Sequence, residues 1–174
     1  LQSCFLNGVS DNPRFRVLFS MSEKVLFARF IQDVELVVCT ANSVILVQCD
    51  TGEITTTIQV PNPVDAVTYG KYVAVVADNE TPPYTRSFLL VYTRKGKFID
   101  KVEFPTKILC LDINIAYLFV ELEKIIQIFD TSTLKTVSVI ERQSETGVGG
   151  VCDGRLAWTD TENKGNVTVA SIPE

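Results

Sequence analysis

The residue types that carry most protein chemistry are thinly spread along this chain. None of its 174 residues is a histidine, which removes the commonest general base and metal ligand, and with it any Ser–His or Cys–His nucleophile pair. The five cysteines, Cys4, Cys39, Cys49, Cys110 and Cys152, are odd in number and never stand at Cys-x-x-Cys spacing. A thiolate zinc site is therefore not expected. Cys39, Cys110 and Cys152 lie in apolar runs, where a free thiol behaves as a small hydrophobe. They read as reduced, buried cysteines of an intracellular protein. Glu121 and Glu123 are a close carboxylate pair of the sort glycosidases use, but they fall at a hairpin between apolar runs and read as solvated charge. Gly147 to Gly150 holds two adjacent glycines without the G-x-x-x-x-G-K pattern or the helix that a phosphate cradle needs. The chain reads as a non-enzymatic protein with no cofactor and no metal.

Binding chemistry is better represented. The net charge of −5 argues against nucleic acid as a partner, since phosphate binding needs a clustered cationic face. It also opposes broad adhesion to an anionic membrane. Arg94-Lys95-Gly96-Lys97 is a small basic cluster that could touch anionic lipid or a carboxylate partner, although a hairpin tip is where charge is ordinarily solvated. Arg14 and Arg16 flank Phe15, an aromatic that could dock against the rest of the protein. Asn79-Glu80-Thr81 and Asn166-Val167-Thr168 fit the glycosylation pattern, which is common by chance and without meaning in the cytosol. No apolar run reaches the roughly 18 residues that span a bilayer, and Tyr117-Leu118-Phe119-Val120 stops at Glu121. No basic stretch followed by an apolar one opens the chain, so no secretory leader is legible.

The elements that must position these residues are strands. Nearly all-apolar runs recur at Leu36–Cys39, Tyr72–Val76, Tyr117–Val120 and Leu156–Trp158, a spacing of about 40 residues, which is that of propeller blades. Such runs suit strands covered on both faces. Each follows another β-rich run (Val25–Phe30, Val64–Tyr69, Ile108–Ile113, Val148–Cys152) and precedes a third (Val44–Val47, Phe88–Tyr92, Ile125–Phe129, Val167–Ala170). Three units add an alternating fourth run, Ile54–Val60, Phe98–Phe104 and Thr136–Glu141, the mark of a half-exposed outer strand. Turn residues agree: Asp50-Thr51-Gly52, Arg94 to Lys97 and Asp130-Thr131-Ser132 separate third from fourth runs, and Asp153-Gly154 is a hairpin signal.

The reading is an all-β protein, a β-propeller of four-stranded antiparallel blades. It comprises an N-terminal segment (1–24), blade 1 (25–60), blade 2 (64–104), blade 3 (107–141) and a partial blade 4 (147–172). Propellers have about 4–8 blades and close into a ring that hides the faces between them. An open arc would leave the outer flanks of the first and last blades, Trp158 among them, in water. Remaining blades are therefore expected from the same or another chain. A closed four-bladed ring would instead need an outer strand from Phe15 to Phe19.

One connection breaks the regularity. Between the second and third runs of blade 2 the turn expands to Asp78-Asn79-Glu80-Thr81-Pro82-Pro83-Tyr84-Thr85-Arg86, whereas the matching turns of blades 1 and 3 are very short. An insertion in one repeat maps to a surface loop, and such loops often bind partners. Asn79, Glu80, Thr81, Pro82, Pro83, Tyr84, Thr85 and Arg86 are thus a candidate partner-binding loop, with two prolines to stiffen it and Tyr84 and Arg86 of hot-spot type.

The segment Phe104-Pro105-Thr106-Lys107-Ile108-Leu109-Cys110-Leu111, the run Ala116 to Asp130, the stretch Leu134-Lys135-Thr136 to Ile140-Glu141, and the opening Phe27-Ala28-Arg29-Phe30-Ile31-Gln32-Asp33 together resemble the PROPPIN family. These are seven-bladed WD-repeat-like propellers of autophagy and endolysosomal traffic. The resemblance covers about residues 25–172, the N-terminal half of a family member. It departs at Asn114-Ile115, where the family has a basic turn, and at Glu145-Thr146-Gly147-Val148, where the family has Asn-Pro-x-Gly. The resemblance implies a cytoplasmic adaptor, peripheral on autophagic or endolysosomal membranes, that binds phosphatidylinositol 3-phosphate or the 3,5-bisphosphate. The family's site is a Phe/Leu-Arg-Arg-Gly motif in the second half of the propeller. No Arg-Arg pair occurs here, so no lipid-binding residue is assigned and the lipid site is expected in the half not present. The resemblance also makes the lipid-transfer protein of autophagy a partner for the blade 2 loop. The alternative is a WD-like scaffold that binds proteins and no lipid.

Overall fold

The computed structural model describes residues 20–32, 34–141, 149–152, 155–159 and 167–171. Within them the chain forms fifteen strands in four sheets, each with its strands hydrogen-bonded in sequence order. Blade 1 is β1 (Val25–Ile31), β2 (Glu35–Thr40), β3 (Ser43–Gln48) and β4 (Ile54–Gln59). Blade 2 is β5 (Pro63–Tyr69), β6 (Tyr72–Ala77), β7 (Phe88–Thr93) and β8 (Phe98–Glu103). Blade 3 is β9 (Cys110–Ile113), β10 (Tyr117–Glu121), β11 (Ile125–Asp130) and β12 (Thr136–Glu141). The fourth sheet has three strands, β13 (Gly149–Cys152), β14 (Arg155–Thr159) and β15 (Val167–Ser171). The first strands pack on one another: β5 lies against β1 on one side and β9 on the other, and β9 touches β13. These strands form the inner ring, and β4, β8 and β12 the rim.

The repetition extends to irregularities that composition does not show. In all three complete blades the pairing of the third strand with the fourth shifts register at a β-bulge, at Leu46/Val47, Val91/Tyr92 and Ile128/Phe129. A bulge bends the strand and increases its twist, which suits the outermost pair of a twisted blade. The turns just after these bulges each hold a residue at positive φ: Gly52 (73°), Gly96 (80°) and Leu134 (55°). Glycine adopts this conformation without a Cβ penalty, whereas leucine does not. Asp130 compensates in blade 3, because its Oδ1 accepts hydrogen bonds from the backbone and hydroxyl of both Ser132 and Thr133 at 2.6–3.0 Å. Those donors pull the Asp130 carboxyl down to about 2.

Alternation explains the core. On β2, Val37 and Cys39 face blade 2 and join one apolar body that runs through blades 1 to 3, including Leu46, Val67, Val75, Leu90, Leu111 and Leu118. Their neighbour Val38 faces the other way, with Ile45 and Val47 and with Met21 and Leu36 packed against them. On β10, Leu118 and Val120 belong to the central body, and Phe119 to a second cluster with Ile126 and Ile128. The expectation of a wet outer flank on blade 1 is thus corrected. Val38, Ile45 and Val47 are buried, with Met21, ahead of β1, and Leu36 packed against them. Leu26 and Phe30 of β1 remain exposed, Phe30 at 65%.

The outer strands behave as expected, with Ile54, Phe98, Ile99, Val137 and Val139 partly in water. Among the described residues no helix is long and apolar enough to cross a membrane. The Arg14-Phe15-Arg16 segment, the Phe15–Phe19 strand, Cys4, the turn at Glu145 to Val148, the Asp153-Gly154 hairpin, Asn166, and the side chains of Cys152 and Trp158 lie outside the described residues.

Candidate functional site

Antiparallel order places the sequence's two binding candidates at opposite ends of blade 2. The β5–β6 turn and the β7–β8 hairpin share one end, where the Arg94 N–H donates to the Lys71 carbonyl at 2.9 Å. The β6–β7 loop occupies the other end.

That loop is a wired structure. Asp78 N–H donates to the Asn62 carbonyl at 2.9 Å, Asn79 N–H to Tyr84 at 2.8 Å and Tyr84 N–H to Thr81 at 2.9 Å. Asn79 Oδ1 accepts from Thr81 N–H at 3.1 Å, a local Asx turn that spares the backbone from water. The Pro82–Pro83 peptide bond is cis. The loop's exit is pinned to the approach to blade 3, where Phe104 N–H donates to the Ser87 carbonyl and Ile108 N–H to the Arg86 carbonyl, both at 2.8 Å. Arg86 Nε bonds Asp78 Oδ2 at 3.0 Å across the neck of the loop. Glu80, Thr81 and Pro82 are exposed, Pro83, Thr85 and Arg86 half-buried, and Tyr84 packs against the central core. Tyr84 is therefore an anchor of the loop, and the tip at Glu80–Pro82 is the part open to a partner.

The basic hairpin departs from its sequence reading. Arg94 is not a solvated turn residue. Its Nη1 donates to Glu35 Oε1 at 2.6 Å and its Nε to the Gly70 carbonyl at 2.7 Å. Glu35, on β2 of blade 1, is buried and its Oε2 accepts from Thr68 Oγ1 of β5 at 2.6 Å. Thr56 of β4 donates to the Arg94 carbonyl, so the hairpin of one blade is bolted to the sheet of the next. Charge-assisted bonds of this length are the strong ones. Lys95 and Lys97 are exposed.

A second network was not anticipated. Arg29, on the inner strand β1, reaches past blade 2 to donate to the Leu111 carbonyl of β9. Its Nη2 lies 3.6 Å from Asp65 Oδ1 of β5 and 3.7 Å from Cys110 Sγ. Asp65 Oδ2 accepts from Leu111 N–H at 2.7 Å. Three inner strands thus meet on one ion pair. Burial raises the Asp65 carboxyl above the usual range, with Arg29 and the Leu111 N–H pulling the other way. The same burial, with Asp65 nearby, pushes the Cys39 thiol up to about 12 and the Cys110 thiol up to about 11. Both stay protonated at neutral pH and lack the thiolate that reactive cysteines need. A sequence signal for this network existed: Arg29 and Asp65 each interrupt an apolar stretch at a position sharing its strand face with core residues, Arg29 with Phe27 and Ile31, Asp65 with Val67.

The remaining candidates separate. Glu123 is exposed at the tight β10–β11 turn and Gly149-Gly150 lie inside β13 rather than in a loop before a helix. Among the described residues no group of three or more His, Cys, Asp or Glu could hold a metal ion.

No protein-family model matches the sequence, and no curated protein matches it. Solved structures do. Hsv2 of Kluyveromyces marxianus superposes with a TM-score of 0.70 at 16% identity, over 87% of this chain and 49% of its own. Hsv2 of Kluyveromyces lactis gives 0.68 at 18% identity, over 86% of this chain and 46% of its own. KlAtg21, solved in complex with the coiled-coil of AgAtg16, gives 0.66 at 20% identity, over 87% of this chain and 53% of its own. The chain is an arc of β-propeller blades that shares its fold with the PROPPIN proteins Hsv2 and Atg21 and spans about half their length.

Proposed function

We propose that this chain is the partner-binding arc of a PROPPIN-like propeller, a non-enzymatic scaffold in autophagy or endolysosomal traffic. One observation carries the reading. Among the three described connections between second and third strands, only that of blade 2 is expanded, and it is held as a rigid frame with an exposed tip at Glu80–Pro82. A surface feature fixed by these backbone bonds and the Asn79 side chain loses little entropy on binding, which is what preorganisation contributes to affinity. The protein with which KlAtg21 was solved is a coiled coil, and a helical partner of that class, or a lipid-transfer protein, suits a protruding loop. Recognition of 3-phosphorylated phosphoinositides, and with it a cytoplasmic place on autophagic or endolysosomal membranes, belongs on this reading to further blades bearing an Arg-Arg-Gly turn.

Flotation with liposomes tests the division of labour. A propeller completed by such blades rises with liposomes containing phosphatidylinositol 3-phosphate, while the 174-residue chain rises no more than with plain liposomes. If the completed propeller also stays at the bottom, the lipid role is lost and the protein-binding scaffold stands alone.

A further inference from the structure

The turn end of the blade 1–blade 2 seam, opposite the β6–β7 loop, holds a groove made of two adjoining recesses. Its outer part is a recess of about 480 Å³ between Thr55–Thr57 of the rim strand β4 and the Arg94-Lys95 hairpin. Its inner part, about 120 Å³, lies near the inner strands among Val34, Asn114 and Ile115. The two adjoin at Glu35, Gln48 and Arg94, which line both.

The chemistry along this groove is graded. At the inner end stand two aliphatic side chains in water, Ile115 at 87% and Val34 at 54% exposure. In the middle, Arg94 is held in place by Glu35 and the Gly70 carbonyl through Nη1 and Nε, and its Nη2 has no hydrogen-bond partner among the described residues. Lys95 on the wall and Lys97 beside it make no ion pair among the described residues. Among the described residues the one carboxylate lining the groove, Glu35, already has both oxygens occupied, by Arg94 and Thr68. On a protein of net charge −5 the described charged residues of this lining are two cations, Arg94 and Lys95, against the one occupied carboxylate of Glu35, and the arginine is oriented in advance.

We infer that this groove binds an extended acidic peptide segment of a partner protein. An aliphatic side chain of the peptide seats between Val34 and Ile115, and carboxylates lie on Arg94 Nη2 and the Lys95 ammonium. A guanidinium held through Nε and Nη1 presents its remaining Nη2 N–H groups to a carboxylate with little loss of freedom. The two exposed aliphatics gain by being covered. A bilayer is a poorer fit, because the cation nearest the buried acid lies within a recess rather than on a protruding tip. The protein's overall negative charge also opposes a broad anionic surface. The inference is independent of the β6–β7 loop, which lies at the other end of the blade.

The test is fluorescence anisotropy of the full chain with a labelled peptide carrying aspartates on both sides of a central leucine. A matched peptide with asparagines in their place serves as the control. Saturable binding to the acidic peptide is expected, weakening as salt rises. Lys95→Glu weakens it about tenfold, the effect of losing one charge-assisted contact, and Ile115→Ser weakens it severalfold. Neither side chain supports the core, so both variants melt as the wild type does, and a variant that melts early is replaced by Lys95→Ser or Ile115→Thr. Equal binding of the asparagine peptide, or indifference to both substitutions, overturns the inference. So does phosphatidylserine vesicle binding that Lys95→Glu abolishes while the peptide goes unbound.

Discussion

Two arginine–carboxylate pairs join blade 1 to blade 2, at different radii and in different states. The inner pair, Arg29 with Asp65, lies 3.6 Å apart with the Asp65 side chain only 10% exposed. The rim-side pair, Arg94 with Glu35, closes to 2.6 Å, with a carboxylate just as buried but an arginine side chain that is 41% exposed. Near the ring axis the surroundings are so poor in water that burial outweighs both the arginine and a backbone donor, and the Asp65 carboxyl stays raised. Farther out, both Glu35 oxygens find short hydrogen bonds, and the cation that serves them still touches solvent. The inner pair therefore fixes geometry at an energetic cost, and the outer one leaves a charged edge free for binding.

The sharpest way to break this contrast is Arg29→Ala. It strands a buried carboxylate and releases the Leu111 carbonyl at once. Removing one member of a buried pair costs about 3–5 kcal/mol, which for a chain of this length lowers Tm by roughly 10 °C. Arg29→Lys recovers only part, since a single ammonium cannot reach both Asp65 and Leu111 as a fork does. A loss under about 1 kcal/mol in urea unfolding would show that the inner pair is incidental.

Acid titration sharpens the same point through its sign. The folded-state value of Asp65 lies above its ordinary 3.8, so folding favours its protonated form. Its contribution is fully present below about pH 4 and is lost as pH rises through the raised value. Asp65→Asn, which keeps an oxygen for the Leu111 N–H, accordingly gains on the wild type as pH climbs from 4. Asp130 runs the other way. Its value is lowered to about 2 by the Ser132 and Thr133 donors, so its contribution is present above pH 4 and fades as pH falls toward 2. Urea midpoints of wild type, Asp65→Asn and Asp130→Asn against pH separate the two. A wild type that instead gains on Asp65→Asn with rising pH would mean that Arg29 outweighs burial.

These pairs also show what the sequence exposes and what it hides. The blades are legible because an apolar run such as Tyr72–Val76 can be a strand only if both faces are covered, and β6 (Tyr72–Ala77) is that strand. Edges move slightly, and β9 begins at Cys110 rather than Ile108. The β6–β7 loop was legible as an insertion, but its division into an anchoring Tyr84 and an open tip was not, since that depends on where the core lies. Arg94 was misread because a cation at a glycine turn is normally solvated, and its partner Glu35 stands 59 residues away. Arg29 hid for the same reason, since Leu111 stands 82 residues away. Polar bonds between blades join distant residues, and periodicity within a blade carries no trace of them.

Arg94→Ala should cost less than Arg29→Ala, about 1–2 kcal/mol. Water can reach the site to share the Glu35 charge, and Thr68 still donates to it. Lys95→Ala, on the same hairpin but without a partner in the seam, changes stability by no more than about 0.5 kcal/mol. The urea midpoints of these two variants should therefore differ clearly. If they coincide, the hairpin is not bolted to blade 1 and the fixed orientation of Arg94 is lost with it.

The smallest expected effect belongs to the third ion pair. Arg86 and Asp78 lie 3.0 Å apart with side chains 32% and 50% exposed, where an ion pair contributes about 0–1 kcal/mol. Arg86→Ala should hardly move the melting curve, because the backbone bond from Ile108 to the Arg86 carbonyl survives the change. Function and stability then separate at this residue as they cannot at Arg29 or Arg94. Arg86→Ala and the tip variant Glu80→Ala with Thr81→Ala are folded alike. If the loop docks a partner, the tip variant loses capture, and Arg86→Ala weakens it only as far as the neck of the loop loosens. Capture unchanged in both would move the partner-binding role away from the loop, and the groove on the opposite end of blade 2 would be left as the binding surface of this arc.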